Sequence, residues 1–395
     1  MRRKALSLFS FTMAVFCFTA SAVFAQQQLP EPLLPFQRLY TYGVVPGAET
    51  RKAEIMRQSA AAATIPLWGY TSQASRDGSS YSGVMVGGNP FFHGHRTASI
   101  TTFLIPVKLI FQSDGSVFDP TANNACAGGK VITLIQNSPV FQSTSYIMNG
   151  IDVSNTQYVD AFERASFWSN VGGTPHHTVL SPVVTVAAQI VTVQTANGLT
   201  QKAPCGKLGA IDINWWDPLA ATGSGSGPAE NLLAGLASSG VGSADLAIFV
   251  FNSVVLYNSS PSNCCYLGYH DGFFTSGGSG PLQTYATASW DASGAFGGDI
   301  STTSHEVAEW MNDPLGSNLV PAWGHVGQVD GCQNNLEVAD PLTGTLFPSV
   351  TLSGFTYNPQ ELAFFSWFFG APSIGAGGAF SNNGTFTKDA GQVCF

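Results

Sequence analysis

The stretch STTSHEVAEWMNDP, residues 301–314, is the most informative part of the 395-residue sequence. It contains an H-E-x-x-E array in which His305 and Glu309 are four positions apart. In an α-helix this spacing places both side chains on one face, a turn apart, where they can bind one metal ion together. Glu306 would project beside that face, where a carboxylate can accept a proton from a water next to the ion. The array therefore predicts a helix that carries two metal ligands and a general base.

The array differs from the zinc-hydrolase motif H-E-x-x-H in that a carboxylate replaces the second histidine. Zinc accepts carboxylate oxygen as well as imidazole nitrogen. The flanking residues, including Val307, Trp310 and Met311, are mostly apolar, so His305 and Glu309 are expected to be partly buried. A buried carboxylate needs a partner, and a cation is the obvious one. The alternative is a surface helix whose acids are solvated.

A third metal ligand is needed, because a catalytic zinc ion usually has three protein ligands and a water. The segment NLEVAD, residues 335–340, is the best source. Glu337 is the predicted third ligand, and Asp340 is predicted to orient one of the ligands. Both acids could instead be ordinary turn residues. His325 and His270 compete with Glu337 for the third position, although a structural role is favoured for each of these histidines.

The first 25 residues have the pattern of a signal peptide. Arg2, Arg3 and Lys4 precede an apolar stretch, and small residues allow cleavage after Ala25. No later segment has enough uninterrupted apolar residues to cross a bilayer. We therefore predict a secreted or periplasmic protein.

The charge of the chain excludes two classes of partner. Loss of three basic residues with the signal peptide changes the formal net charge from −9 to −12. An acidic surface does not suit nucleic acid or an anionic membrane. Charged residues make up only 10% of the chain and glycine is abundant, which favours a β-rich extracellular protein.

Six cysteines remain after the signal peptide, and an even number in an exported chain indicates disulfides. They are Cys126, Cys205, Cys264, Cys265, Cys332 and Cys394. We expect the first two to pair with each other. We expect the adjacent pair, Cys264 and Cys265, to bond elsewhere, with Cys332 and Cys394 as the partners.

Hydrophobic periodicity predicts alternating groups of strands and helices. The predicted strands are residues 97–111, 179–195, 245–257, 266–274 and 283–290. The predicted helices are residues 49–62, 156–170, 230–239 and 358–369, in addition to the helix of the H-E-x-x-E array. The apolar run 245–257 indicates a strand buried on both faces. Strand 283–290, just before the metal-binding helix, is predicted to be a sheet edge that pairs with an extended peptide.

The chain resembles the plant phosphate-induced, EXORDIUM-like family and its bacterial relatives, which are secreted proteins with an H-E-L-A-E-x-x-x-D/N-P segment. The matching residues are His305, Glu306, Ala308, Glu309, Asp313 and Pro314. The segment CCYLGYH, residues 264–270, is similar to a Cys- and Gly-rich segment of that family that ends in histidine. Residues 337–340 lie where a downstream acidic segment recurs. The likeness covers roughly residues 240–345 and is strongest at the helix.

The resemblance implies a zincin-like α+β fold, in which a mixed twisted sheet supports the active-site helix. The chain is then divided into a signal peptide, 1–25, an N-terminal extension, 26–95, a β-rich portion, 96–220, and a zincin-like catalytic portion, 221–395.

We therefore predict a secreted zinc-dependent hydrolase, most readily a peptidase that acts on an extracellular peptide or protein. His305, Glu309 and Glu337 would bind the zinc ion, and Glu306 would activate the water. The alternative is a non-catalytic extracellular or cell-wall protein on the same scaffold, which would bind a glycan or a protein. Loop aromatics such as Trp215 and Trp216 could then stack on sugars, unless they are simply buried.

Overall fold

The computed structural model describes residues 64–92, 97–275, 280–370, 372–391 and residue 394. Within them the chain forms helices and several sheets, in agreement with the predicted α+β class. The signal peptide and the predicted helix at residues 49–62 lie outside the described residues.

The secondary-structure elements follow one another closely along the chain. The strands are β1 (Leu67–Gln73), β2 (Ser80–Val86), β3 (Ala98–Phe111), β4 (Val117–Phe118), β5 (Asn123–Asn124), β6 (Gly129–Lys130), β7 (Thr144–Met148), β8 (Ile151–Thr156), β9 (Thr178–Thr185), β10 (Gln189–Val193), β11 (Gly198–Lys202), β12 (Lys207–Asp212), β13 (Leu246–Asn252), β14 (Val254–Tyr257), β15 (Cys264–Tyr266), β16 (Gly268–Phe274), β17 (Leu282–Trp290), β18 (Leu319–Val326), β19 (Val329–Asn335), β20 (Val350–Leu352) and β21 (Phe355–Tyr357). The α-helices are α1 (Val131–Gln136), α2 (Tyr158–Ser166), α3 (Trp168–Val171), α4 (Ile213–Trp216), α5 (Pro218–Thr222), α6 (Pro228–Leu236), α7 (Ser301–Asn312) and α8 (Phe365–Phe369). None of the described helices combines the length and apolarity needed to cross a membrane.

The largest sheet has the strand order β10-β3-β13-β17-β16. Its first four strands run parallel, and β16 is antiparallel to β17. All seven residues of β13 are buried, as its continuous apolar sequence predicts for a strand covered on both faces. Alternate residues enter two different apolar clusters: Ile248 and Val250 lie in one and Phe249 and Phe251 in the other.

The edge of this sheet is not where the sequence pattern predicted it. Strand β17, which covers the predicted edge at residues 283–290, is paired on both sides and buried along its whole length. Strand β16 forms the edge instead, paired with β17 alone among the described strands. The prediction is wrong because β16, the antiparallel edge strand, precedes β17 in the chain. The chain then returns to the interior of the sheet, where β17 lies between β13 and β16.

The apolar run 245–257 forms two strands instead of one. Ser253 has a φ of 53° and separates β13 from β14. Since a positive φ at a residue other than glycine breaks the extended backbone, the chain leaves the large sheet there. Strand β14 joins a second sheet with the order β11-β12-β14-β15.

Helix α7 packs on β16 and β17, and helix α2 contacts α7. Both helices contribute to the same apolar cluster, through Phe162, Val307 and Trp310 among others. The aromatic residues 364–369 belong to this cluster too, as predicted. The predicted helix at 358–369 is confirmed only over α8, because the residues before it make long-range hydrogen bonds instead of a first helical turn.

The disulfides agree with the predictions in part. Cys126 is bonded to Cys205 as expected. Cys264 and Cys265 are joined by a cis peptide bond and are bonded to each other, so the prediction that each bonds elsewhere is wrong. Their expected partners, Cys332 and Cys394, form the third disulfide, with Cα atoms 5.9 Å apart. Three disulfides fit a protein of an oxidising compartment.

Of the two tryptophans considered for sugar stacking, Trp216 is fully buried. Its ring makes edge contacts with Phe249 and Phe251 of β13, with ring centroids 5.3 and 5.0 Å apart. Trp216 is therefore part of the core, and Trp215 is half-buried beside it.

Candidate metal centre

Helix α7 forms over the predicted residues and places the H-E-x-x-E array against the antiparallel end of the large sheet. Asp299 lies at its N-terminus, where its carboxylate accepts hydrogen bonds from Ile300 N and from Asn358 Nδ2. The helix ends at Asp313, whose two carboxylate oxygens accept from Ser317 N and Asn318 N at 2.8 and 2.9 Å. The chain therefore turns sharply after the helix.

His305 and Glu309 are together, as predicted from their spacing. Nε2 of His305 lies 3.0 Å from Oε2 of Glu309, and both residues are 2% exposed. On the other side of the ring, Nδ1 of His305 is 3.1 Å from Oε1 of Gln360. Because Nε2 of Gln360 donates to Ala339 O at 2.6 Å, its Oε1 is the acceptor of the imidazole proton. This hydrogen bond fixes the ring so that Nε2 of His305 faces Glu309.

Asp340 faces the same imidazole from the segment after β19. Its Oδ1 lies 3.5 Å from Nε2 of His305. Its carboxylate is oriented by two glutamines, because Gln328 Nε2 donates to Oδ1 and Gln333 Nε2 donates to Oδ2 at 2.9 Å. Asp340 is therefore placed to bind an ion directly, whereas the sequence predicted that it orients a ligand.

The two oxygens of Glu309 have different surroundings. Oε1 accepts hydrogen bonds from the backbone N–H groups of Ala339 and Asp340, at 3.2 and 3.3 Å. Oε2 points the other way and lies close to two imidazoles, those of His305 and His270. The backbone of the acidic segment thus orients the helix carboxylate.

His270 enters the cluster from the edge strand β16. Its Nε2 is 2.9 Å from the carbonyl oxygen of Asp313, to which it can donate. Its Nδ1 then carries the lone pair and lies 3.5 Å from Glu306 Oε2 and 3.9 Å from Glu309 Oε2. Glu337 is nearby, with Oε2 3.9 Å from Nε2 of the same ring.

Glu306 is almost completely buried, at 1% exposure, and neither of its carboxylate oxygens makes a hydrogen bond within the described structure. Burial raises the pKa of this carboxyl well above its usual value, and the negative charges of Glu309 and Asp340 raise it further. Gly268 of β16 makes room for it, because a Cβ there would lie 2.6 Å from Glu306 Oε1. The described part of the site therefore holds a buried acid without hydrogen-bond donors.

Two groups of three donor atoms lie close enough together to share an ion. One group is His305, Glu309 and Asp340, and the other is His270, Glu309 and Glu337; within each, all donor atoms are within 4.8 Å of one another. Of the three predicted ligands, His305 and Glu309 are in the first group, while Glu337 joins Glu309 in the second. Glu309 is common to both.

His325 lies apart from this cluster. It is exposed on the β18–β19 turn, and its Nε2 is 3.7 Å from Sγ of Cys332. His325, Cys332 and Cys394 are also within metal-binding distance of one another. Because the two cysteines are bonded to each other, they offer no thiolate, and this trio lacks the ligands that zinc would need.

The electrostatics of the cluster favour a cation. Burial raises the pKa of Glu309 to about 7, which means that its charge is poorly compensated without one. Burial lowers the pKa of His305, but the neighbouring Glu309, Asp340 and Glu306 outweigh this and raise it well above 6.5. In the described part of the chain, the ion-pair partners of Glu306 and Glu309 are histidines alone. A bound metal ion would supply the missing positive charge.

The glutamines that orient the site were not identified from the sequence. Gln360 lies 55 residues from His305, and Gln328 lies 12 residues from Asp340. No spacing rule connects a glutamine to a distant histidine, so only the folded chain reveals these contacts. His270 was recognised as a candidate because it lies on a predicted strand that could run beside the metal-binding helix.

Comparisons with known proteins give no family for this chain: no family model, no curated protein and no solved structure matches it.

Proposed function

We propose that this protein is a secreted metal-dependent hydrolase, most readily a zinc peptidase. The observation that carries the proposal is the environment of Glu306. Its buried carboxylate has no hydrogen-bond donor within the described structure, yet it lies beside a cluster of histidines and acids. A structural acid would be expected to have donors, because a buried charge without them is costly.

The donor set fits a zinc ion. His305 and Glu309 would be ligands, with Asp340 as the third member of their group; Glu337, the third ligand predicted from the sequence, is grouped with Glu309 and His270 instead. The bond from Gln360 to His305 Nδ1 is the kind of support that metal-binding histidines have in other proteins. When bound, the ion would polarise a substrate carbonyl and make a neighbouring water more acidic.

Glu306 would accept the proton of the attacking water at one of its free oxygens and pass it to the leaving amine. Its raised pKa suits a group that must both take and release a proton near neutral pH. His270, whose Nδ1 is 3.5 Å away on the edge strand, is placed to accept a hydrogen bond from the protonated carboxyl.

The edge strand supports a peptide as the substrate. The outer side of β16 is not paired with any described strand, so it can accept an extended chain by main-chain hydrogen bonds. A peptide bound there would run next to His270 and Glu306. The disulfides are in keeping with secretion.

The proposal is tested with the purified mature protein, casein and a fluorogenic peptide library, each with and without a chelator. We expect hydrolysis that a chelator abolishes and zinc restores. The variant E306Q should lose hydrolysis and keep its metal, while D330N, at an exposed acid outside the cluster, should behave as the wild type. Metal-free protein whose stability is unchanged by H305A would overturn the proposal. Glycan binding without chelator-sensitive cleavage would favour a non-catalytic interaction protein.

A further inference from the structure

We propose that the cluster binds two metal ions, not one, with Glu309 as the shared carboxylate. The inner position would be formed by His305, Glu309 and Asp340, and the outer position by His270, Glu309 and Glu337. This inference rests on the proposed function in one respect, since both concern the cluster on helix α7. The number of ions bound there is a separate question from whether the protein hydrolyses peptides.

The arrangement of the two imidazoles supports two positions. Metal–ligand bonds of about 2.0–2.2 Å place neighbouring donor atoms about 3.0–3.5 Å apart. Nε2 of His305 meets this criterion with both Glu309 and Asp340, at 3.0 and 3.5 Å. Among the described residues, no group of donors within 4.8 Å contains both His305 and His270. One ion therefore does not reach both rings without rearrangement.

Each imidazole is oriented independently. The amide oxygen of Gln360 accepts from Nδ1 of His305, and the carbonyl oxygen of Asp313 accepts from Nε2 of His270. The opposite nitrogen of each ring lies near Oε2 of Glu309, at 3.0 Å for His305 Nε2 and 3.9 Å for His270 Nδ1; Glu306 Oε2 is nearer to His270 Nδ1, at 3.5 Å. A carboxylate approached by two imidazole lone pairs has the geometry of a bridging ligand.

The charge of the cluster agrees with two divalent ions. Glu306, Glu309, Glu337 and Asp340 are all buried and lie around the two histidines. One divalent ion would balance two of these four negative charges, and two ions would balance all of them. Buried charge is tolerated only when it is compensated.

Glu306 gives an independent indication of the outer ion. Both of its oxygens lack hydrogen-bond partners in the described structure, and Oε2 is 3.5 Å from Nδ1 of His270, the nitrogen that would bind the outer ion. Glu306 is therefore directed at the outer position.

The two positions differ in access to solvent. The side chains of Glu337 and His270 are 10% and 5% exposed, whereas those of His305 and Asp340 are 3% and 1% exposed. The outer ion would exchange with solvent more readily. We assign it the substrate-facing role, and we assign the inner ion the role of orienting Glu309 and Asp340.

The experiment counts ions without using activity. The mature protein is stripped with a chelator, reloaded with Mn²⁺, freed of excess metal, and measured by plasma mass spectrometry and electron paramagnetic resonance. We expect about two equivalents per chain and the spectrum of an exchange-coupled pair. About one equivalent, with the spectrum of an isolated ion, would overturn the proposal even if the protein hydrolyses peptides.

Variants locate the ions, and circular dichroism checks that each variant is folded. H270Q and E337Q should each reduce loading to about one equivalent and remove the coupled spectrum. H325N is the matched control, because His325 is exposed, lies outside the cluster and has a φ of 53° that asparagine tolerates; it should keep both ions. Loss of all metal in H270Q would indicate one ion bound by both histidines and would overturn the proposal. Two bound ions without any hydrolysis would confirm the inference while contradicting the proposed function.

Discussion

The carboxylates of Glu306 in helix α7 and of Glu361 before helix α8 are buried to the same degree, at 1% and 0% exposure, but their surroundings are opposite. Glu361 accepts hydrogen bonds from Ser381 Oγ and Thr385 Oγ1, each at 2.6 Å, and from the backbone N–H groups of Asn383 and Thr385. Glu306 accepts none within the described structure. The first carboxylate holds the C-terminal loops together, whereas the second is left free for a partner outside the chain.

Glu163 of helix α2 lies between these extremes. It is buried and accepts a hydrogen bond from Nδ2 of Asn312, at the end of α7. Burial raises its pKa to about 8 because this bond compensates only part of the lost hydration. The three buried acids thus differ in their hydrogen-bond donors: Glu361 has several, Glu163 has one, and Glu306 has none within the described structure.

The sharpest test of the comparison is the exchange of Glu306 for glutamine. We expect E306Q to lower the rate of peptide hydrolysis by about a thousandfold, the scale of a lost general base. Its unfolding free energy should not fall, because no hydrogen bond to the carboxylate is lost. Steady-state kinetics and thermal unfolding measure the two effects, and a strongly destabilised E306Q would show that the acid serves the fold.

The converse result is expected for Glu361. E361A should lower the free energy of unfolding by about 3 kcal/mol, since buried donors at Ser381 and Thr385 lose their acceptor. Metal content should remain that of the wild type. Urea unfolding, followed by metal analysis of the folded fraction, tests this; a normal stability with depleted metal would reverse the assignment.

Glu163 predicts a pH effect on stability. Its pKa is about 8 in the folded chain, whereas its usual value is 4.5. The carboxyl therefore stays protonated to a higher pH in the folded state than in the unfolded state. The contribution of the Glu163 carboxyl to the free energy of unfolding is fully present below pH 4.5 and is lost as the pH rises through about 8. We expect a loss of about 3 kcal/mol between pH 6 and 9. In E163Q that slope should be flatter, as measured by urea unfolding at several pH values; an unchanged slope would contradict the prediction.

The smallest expected effect concerns Gln360, which orients His305 and is not itself proposed as a metal ligand. Q360L should weaken metal binding by about tenfold, because the imidazole loses the acceptor of its Nδ1 proton. Competition with a chelating dye measures the affinity. The exposed variant D330N is again the control. Unchanged affinity would mean that His305 is not a ligand in the orientation described.

Local patterns predicted many of the elements. Alternation over β3, the amphipathic pattern over α2 and the H-E-x-x-E array over α7 were sufficient to place these elements, although both helices and the middle of β3 are buried on more than one face. The edge strand was assigned to the wrong segment, since β16 and β17 are both apolar and local sequence does not state which of them lies inside. The predicted helix at 358–369 was shortened because Asn358 and Gln360 bond to Asp299 and Ala339, which are distant in sequence.

The sequence alone sufficed to identify the pairing of His305 with Glu309, because residues four positions apart lie on the same face of an α-helix. It also sufficed to single out Glu306 beside them. It named Asp340 and His270 as candidates, but it did not show how they meet the helix, and it did not point to Gln360 as a partner of His305. Asp340, His270 and Gln360 reach the same few ångströms from the segment after β19, an edge strand and a loop. Their meeting depends on how the sheet, the helix and the C-terminal segments pack, and packing is a property of the whole chain.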